Sequence, residues 1–239
     1  MSAPADIRLE SVAKHYRTPA GVVRAVDGVT AEVEAGTSLA IAGPSGCGKS
    51  TLLGLIGGLD LPSAGRVQIG EHEISTLPER ARARVRHDEL GFVFQSDNLF
   101  PFLTAAENVG LQLSLRSEEG GYERCAELLT QLGLGAHIDK LPDQLSSGQR
   151  QRVAVARALV HEPRVVLADE PTGSLDTENA AAIVDLLVAA QRERGTTLVV
   201  VTHDLGVARR LDRTLTMRDG QVAADDPTAG PRRRGRARC

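Results

Sequence analysis

With 239 residues and a formal net charge of −3, the chain can bury a sizeable core as one large domain or two small ones, and it has no bulk charge to draw it to nucleic acid. No stretch approaches the roughly 20 consecutive apolar residues that span a bilayer, and the opening MSAPADIRLE lacks the basic and apolar regions of a signal peptide. The cysteines Cys47, Cys125 and Cys239 are scattered without metal-ligand spacing, which suits a reducing cytoplasm, so any membrane part is expected to belong to another chain.

Residues 7–16 and 22–33 alternate apolar and polar, the pattern of antiparallel strands with one solvated face. Residues 38–42 form a buried strand running into a glycine loop, followed by a helix over 50–57, a strand over 66–69, an arginine-rich helix around 79–87 and a strand over 91–95. From 105 to about 159 the pattern is helical, over 105–115, 122–132 and 147–159. Strand–helix alternation then resumes with a strand over 164–168, a helix over 177–194 ended by Gly195, and a strand over 197–202. Asp219-Gly220 between apolar residues predicts a hairpin. The basic, Pro/Gly-rich end beyond about Ala224 predicts disorder. The expected organisation is a domain over 1–224 with a helical subdomain inserted at about 100–160, and a tail over 225–239. No internal repeat is present, so one nucleotide site is expected.

GPSGCGKST at residues 43–51 fits the phosphate-binding pattern G-x-x-x-x-G-K-[ST]. Gly43, Gly46 and Gly48 let the backbone turn tightly so that consecutive N–H groups face the phosphates, and the following helix adds its positive N-terminal dipole. Lys49 is expected to reach the β- and γ-phosphates and Ser50 to offer its hydroxyl to Mg²⁺. Pro44, Ser45, Cys47 and Thr51 complete the loop, Cys47 as a small packing residue. Only three lysines occur (Lys14, Lys49, Lys140), so a lysine in this loop does not reflect abundance. VVLADE at 165–170 reads as a buried strand ending in two carboxylates. Asp169 is placed to hold the Mg²⁺ shell. Glu170, pointing elsewhere because strand side chains alternate, is placed to orient or deprotonate the attacking water.

LSSGQ at 145–149, followed by RQRVAVARAL, resembles the signature of ATP-binding cassette (ABC) transporter ATPases, usually LSGGQ, and the likeness covers residues 6 to about 223. Ser146 and Gly148 at a helix N-terminus form an anion site on physical grounds. The resemblance implies an ABC-type P-loop α/β fold: a mostly parallel core sheet, an antiparallel N-terminal β-subdomain and a helical subdomain. It further implies a homodimer trapping two ATP·Mg²⁺, in which Ser146, Ser147, Gly148 and Gln149 close over the γ-phosphate held by the opposite copy. Ser147 departs from the family's glycine and puts the rate in question. Carried over by position, Gln95 matches the glutamine that senses Mg²⁺ or water, Asp176 the aspartate crossing the dimer interface, His203 the histidine contacting the γ-phosphate, and Tyr16 the aromatic stacking on adenine. Each also has a plain structural alternative, Gln95 as a strand-end polar residue, His203 as a satisfied histidine and Tyr16 as a packed sheet aromatic.

HYRTPAGVVRAVDGV, FVFQSDNLFPFLTAAENV and VVLADEPTGSLD resemble the branch of lipoprotein-release, macrolide-export and cell-division ATPases. That branch implies a hydrolase at the inner face of the membrane, powering a separate permease, with no nucleic acid as partner. An amino-acid importer subunit is the alternative. With the chain ending soon after the Asp219-Gly220 hairpin, the regulatory domain of many sugar-importer ATPases is not expected. A repair ATPase of the superfamily would need a coiled-coil or zinc insertion, and a small-molecule kinase would lack LSSGQ. Leu99, Phe100, Phe102 and Leu103, beside Gln95, are apolar enough to mark a docking patch, with burial in the cassette's own core as the competing expectation.

Overall fold

The computed structural model describes residues 3–19, 21–114, 121–173 and 175–227; the basic stretch from 228, with Cys239, lies outside them. In chain order the elements are β1 (Ile7–Thr18), β2 (Gly21–Val33), β3 (Ser38–Ala42), α1 (Lys49–Ile56), β4 (Ala64–Ile69), β5 (His72–Glu73), α2 (Glu79–Glu89) and β6 (Leu90–Val93). There follow α3 (Ala105–Ser114), α4 (Gly121–Gln131), short 3-10 turns at Gly135–His137 and Pro142–Gln144, and α5 (Ser147–Leu159). The chain continues with β7 (Val165–Asp169), α6 (Thr177–Arg194), β8 (Thr197–Thr202), α7 (Leu205–Ala208), β9 (Arg213–Arg218) and β10 (Gln221–Pro227).

Two sheets result. One is antiparallel with order β2-β1-β4-β5; the other has order β10-β9-β3-β8-β7-β6 and is parallel except for the β10–β9 pair. The central strands are apolar on both faces, as a covered parallel sheet requires. Their alternation divides them between two cores. Leu39, Ile41, Leu167 and Val199 face the antiparallel sheet and α1, while Ala40, Ala42, Ala168 and Val200 face the helices of the second core. That second core holds Val109, Leu113, Leu129, Val153 and Ile183; within it α5 meets β6, and α3 and α4 pack on α5 and on each other. No helix among the described residues is long and apolar enough to cross a membrane.

Several boundaries shift for identifiable reasons. α1 begins at Lys49 because Gly48, left-handed at φ 100°, caps it. β6 ends at Val93, two residues short of the predicted 95, so Gln95 stands beyond the ladder. β10 runs to Pro227, past the predicted boundary at 224, because Asp225 pairs with Leu215 in register and binds Arg213 through its side chain. The prediction of disorder for the remainder of the tail falls outside the described residues.

Candidate nucleotide site

Parallel strands deliver their C-terminal ends to one edge of the sheet, where ligands of open α/β folds bind. Here β3 leads into the glycine loop, β7 ends at Asp169, β8 precedes His203 and β6 precedes Gln95. Residues far apart in sequence are thereby gathered.

The loop needs its glycines. A Cβ at Gly48 would lie 2.0 Å from the Ala25 carbonyl oxygen, and one at Gly43, with φ 149°, would lie 2.3 Å from that of Met217. Buried Cys47 packs its sulfur against Gly43, consistent with a small packing residue. Lys49 is only 6% exposed and donates to the carbonyls of Gly43 at 2.9 Å and Pro44 at 3.0 Å. Its ammonium thus already sits inside the curve of the loop. A cleft of about 410 Å³ opens there, lined by Gly46, Gly48, Lys49, Ser50 and Thr51 and rimmed by Val23. Tyr16, the cross-strand partner of Val23, is 40% exposed and donates its hydroxyl to Asp60 at 3.0 Å, with Lys14 5.1 Å over its ring. Burial, then Asp60, pushes its phenol pKa up, and Thr51 opposes the shift. Residues Pro44, Ser45 and Gly46 are exposed at the loop's crown, open to an incoming phosphate.

The Ser50 hydroxyl donates to Asp169 at 2.9 Å, joining the start of α1 to the end of β7. Burial pushes the Asp169 carboxyl up; the Ser50 hydrogen bond opposes this, the Glu170 charge adds to it and the Lys49 charge opposes it. A hydroxyl and a desolvated carboxylate on adjoining elements are oxygen ligands of the kind a hard divalent cation takes, so these residues fit Mg²⁺. An acid whose folded pKa lies above its unfolded value binds more protons when folded. Its stability contribution therefore falls as pH rises through the unfolded value, near 3.9 for aspartate, and stays reduced above the folded one. Asp169→Asn is accordingly expected to raise the melting temperature of the nucleotide-free protein at pH 7–8 and to change it little near pH 3, while abolishing cation-dependent turnover. Thermal melts across that pH range check it, and an equal destabilisation at both ends would contradict it.

Glu170 does not take the next strand position. β7 stops at Asp169 and Glu170 adopts a left-handed φ of 45°, its N–H donating to the Val201 carbonyl at 3.0 Å. Its carboxylate meets His203 while that of Asp169 meets Ser50, and the backbone there is a turn, not a continued strand. A left-handed non-glycine residue costs about 1–2 kcal/mol, a strain of the kind that collects at functional sites. The Glu170 carboxylate lies 2.9 Å from Nδ1 of His203, which is 63% exposed. Gln95, exposed beyond β6, leans against Gly173, where a Cβ would meet its Nε2 at 2.8 Å. Gly173 in turn donates to the Glu170 carbonyl at 3.0 Å. The turn at Glu170 thus carries His203 against its carboxylate and, through Gly173, Gln95 beside its backbone.

The LSSGQ stretch stands apart. None of residues 145–149 lines the glycine-loop cleft among the described residues. Ser146 caps α5, accepting from the Gln149 N–H at 3.2 Å while its own N–H donates to the Gln149 side chain at 2.8 Å. This reciprocal box holds the helix start, leaving the positive end of α5 open to an anion. Ser147 is exposed, so the departure from glycine projects into solvent. Gly148 is buried against Asn179, where a Cβ would come 2.5 Å from Oδ1. Asp176 in turn holds Asn179, accepting from its backbone at 2.9 Å and its amide at 2.8 Å. Asn179, which sequence reading missed, therefore links Asp176 to the LSSGQ helix. Only the D-x-x-N cap spacing hinted at it.

The apolar patch divides. Leu99 packs on the second core, whereas Phe100 and Phe102 are 47% and 72% exposed with ring centroids 5.9 Å apart. Buried Asn108 explains the split: it binds the N–H and carbonyl of Phe100 and the carbonyls of Leu103 and Thr104, fixing the loop with both rings outward.

Comparison with known proteins places this geometry. The family model described as ABC transporter matches residues 26–173. The lipoprotein-releasing system ATP-binding protein LolD of Xanthomonas oryzae pv. oryzae is 44% identical over 229 residues, covering 95% of this chain and 94% of the relative. That of Legionella pneumophila is 43% identical over 213 residues, covering 88% and 94%. Among solved structures, the dimeric bacterial ABC transporter cassette MJ0796 superimposes with a TM-score of 0.87 at 41% identity, over 94% of this chain and 100% of that one. Its post-hydrolysis dimer bound to ADP and Pi gives 0.87 at 40% identity with the same coverage.

Proposed function

The chain belongs to the ABC transporter family and is an ATP-hydrolysing cassette, and from that premise we propose that it powers a membrane permease that releases lipoproteins. The relatives named for a lipoprotein-releasing system support the substrate, and the exposed Phe100–Phe102 pair supports a docked partner. The observation that carries the mechanism is the separation of the glycine-loop cleft from the LSSGQ helix start on one chain. A second copy, turned head to tail, supplies the missing half to each cleft.

In the closed pair the backbone N–H groups of residues 45–51 and the Lys49 ammonium hold the β- and γ-phosphates, and Tyr16 stacks on the base. Lys49 exchanges its loop carbonyls for phosphate oxygens without moving to a new place. Mg²⁺, held by Ser50 and Asp169 with Gln95 beside them, would neutralise charge on the phosphates. Glu170 orients and takes a proton from the attacking water, and His203 shares its bond with Glu170 and the γ-phosphate. Ser146, Ser147 and Gly148 of the partner close over the γ-phosphate, while Asp176 crosses the interface. Hydrolysis removes the shared phosphate, and the pair opens. The inner face of the membrane is where a permease would hold the cassette, and residues 1–227 would act as one domain with the helical subdomain at about 100–160 carrying the docking surface.

ATP-dependent transfer of a lipoprotein out of proteoliposomes holding the permease and this chain tests the whole reading. Transfer that persists with Lys49→Ala removes it. The docking face has its own test. Phe102→Glu places a charge where an aromatic anchor would be buried, expected to weaken permease binding roughly 30-fold, the loss of a hot spot of about 2 kcal/mol. Since Phe102 is 72% exposed, the fold and the basal hydrolysis should survive. Co-purification with the permease measures the first and phosphate release the second; a mutant that unfolds would place Phe102 in the core.

A further inference from the structure

We propose that His137 is a positioning residue for the LSSGQ helix start, holding Gln149 so that Ser146 and its neighbours are aimed at the partner copy's phosphate; this rests on the role proposed above for residues 145–149.

The hydrogen bonds leave one arrangement. The Ser146 backbone N–H can only donate, so the Gln149 oxygen 2.8 Å away must face it. The amide NH₂ of Gln149 is thereby turned toward Nε2 of His137, at 3.0 Å. That nitrogen must accept, so the ring carries its proton on Nδ1. Nδ1 is buried and has no hydrogen-bond partner among the described residues. No hydrogen bond on that side fixes the tautomer, so Gln149 is the polar partner that defines it.

His137 is itself firmly mounted. Its N–H donates to the Leu134 carbonyl at 2.8 Å, and its carbonyl accepts from Lys140 at 3.2 Å. The carbonyls of Ile138 and Lys140 accept from the N–H groups of Ala106 and Ala105, at 3.0 and 2.9 Å, which fastens this turn to the start of α3. The path from the helical subdomain to the LSSGQ helix therefore runs α3, the 135–137 turn, His137, Gln149, Ser146. Gln149 has three rotatable bonds, and its cap oxygen stays on the Ser146 N–H only while its amide is held at the other end. Donors aimed at developing charge stabilise it most when they are fixed beforehand. Releasing Gln149 would leave those donors in place for only part of the time.

The substitutions that separate this from plain packing are His137→Phe, which keeps a ring but no acceptor, and His137→Gln, whose amide oxygen can reach the place of Nε2. In full-length protein, His137→Phe is expected to lower kcat for ATP hydrolysis about three- to tenfold, one hydrogen bond's worth of orientation. Affinity of the single protomer for a fluorescent ATP analogue should not change, because the glycine-loop cleft is untouched. His137→Gln should return kcat to within about twofold of wild type. Wild-type kcat in the Phe variant, or a Gln variant no better than Phe, overturns the proposal. A measurement on the unmodified protein guards against a variant that does not fold: ¹⁵N NMR of the labelled imidazole should show His137 protonated at Nδ1, and a proton on Nε2 overturns the proposal outright. Lys49→Ala and Ser146→Arg run in parallel. If both keep wild-type hydrolysis, the cassette reading itself fails; if both are inactive while His137→Phe is fully active, only the role of His137 falls.

Discussion

Glu170→Gln is expected to reduce ATP hydrolysis on the order of 10²–10⁴-fold, the range for removing a positioned general base. Glutamine keeps the shape and one oxygen of the side chain that lies 2.9 Å from His203, so the local geometry should persist. The left-handed turn at residue 170 is set by the backbone bond to Val201 and is not touched. ATP should then remain in the closed site. A ligand held only by the dimer stabilises it by mass action, about 2.7 kcal/mol per site at a hundredfold excess over the dissociation constant. The variant should elute as a dimer with ATP and as a monomer with ADP. Adding Ser146→Arg sets a bulky cation at the capped start of α5 and should return it to monomer, while nucleotide binding to one protomer survives. Chromatography with the permease present distinguishes a weak dimer from a wrong one. A Glu170→Gln protein that stays monomeric with ATP even then would sink the shared-site mechanism.

Lys49→Ala should abolish measurable turnover and weaken ATP binding. A charge-assisted contact is worth about 1.5–3 kcal/mol, or roughly ten- to 150-fold in affinity. This ammonium lies between the carbonyls of Gly43 and Pro44, to both of which it donates. Its loss therefore also frees the loop that must be ordered to bind phosphate, so the fall in affinity should sit at the upper end of that range. The remaining fold does not depend on it: Leu52, Leu55 and Ile56 of α1 are fully buried and carry the helix. Calorimetric titration with ATP and a phosphate-release assay read the two effects, and circular dichroism checks the fold. Hydrolysis at the wild-type rate in Lys49→Ala would overturn the phosphate-loop assignment.

Much of the element layout follows from local sequence. The runs 38–42, 147–159, 177–194 and 197–202 match the observed elements residue for residue. Each is bounded by a signal with a local cause: Ser146 and Asp176 as caps, Gly195 in the left-handed conformation, an unbroken apolar run where both strand faces are covered. β5 and α7 escaped because two and four residues are too short to show a period. The glycine loop, the paired carboxylates and LSSGQ were visible as motifs because their chemistry demands particular residues at fixed short spacing.

What the chain could not disclose locally is which side chains meet. Ser50 and Asp169 are 119 positions apart, and Glu170 and His203 are 33 apart. Both pairings depend on the strand order β3-β8-β7, which no periodicity encodes. The same holds for the fate of neighbours. Leu99 goes to the core and Phe102 to solvent because Asn108 grips the loop between them, and the apolar character of both is identical in sequence. Propensity, capping and loop geometry act over a few residues, so the elements and their chemistry are set locally. How those elements combine rests on long-range strand pairing and burial, which select among contacts that local sequence leaves equally open.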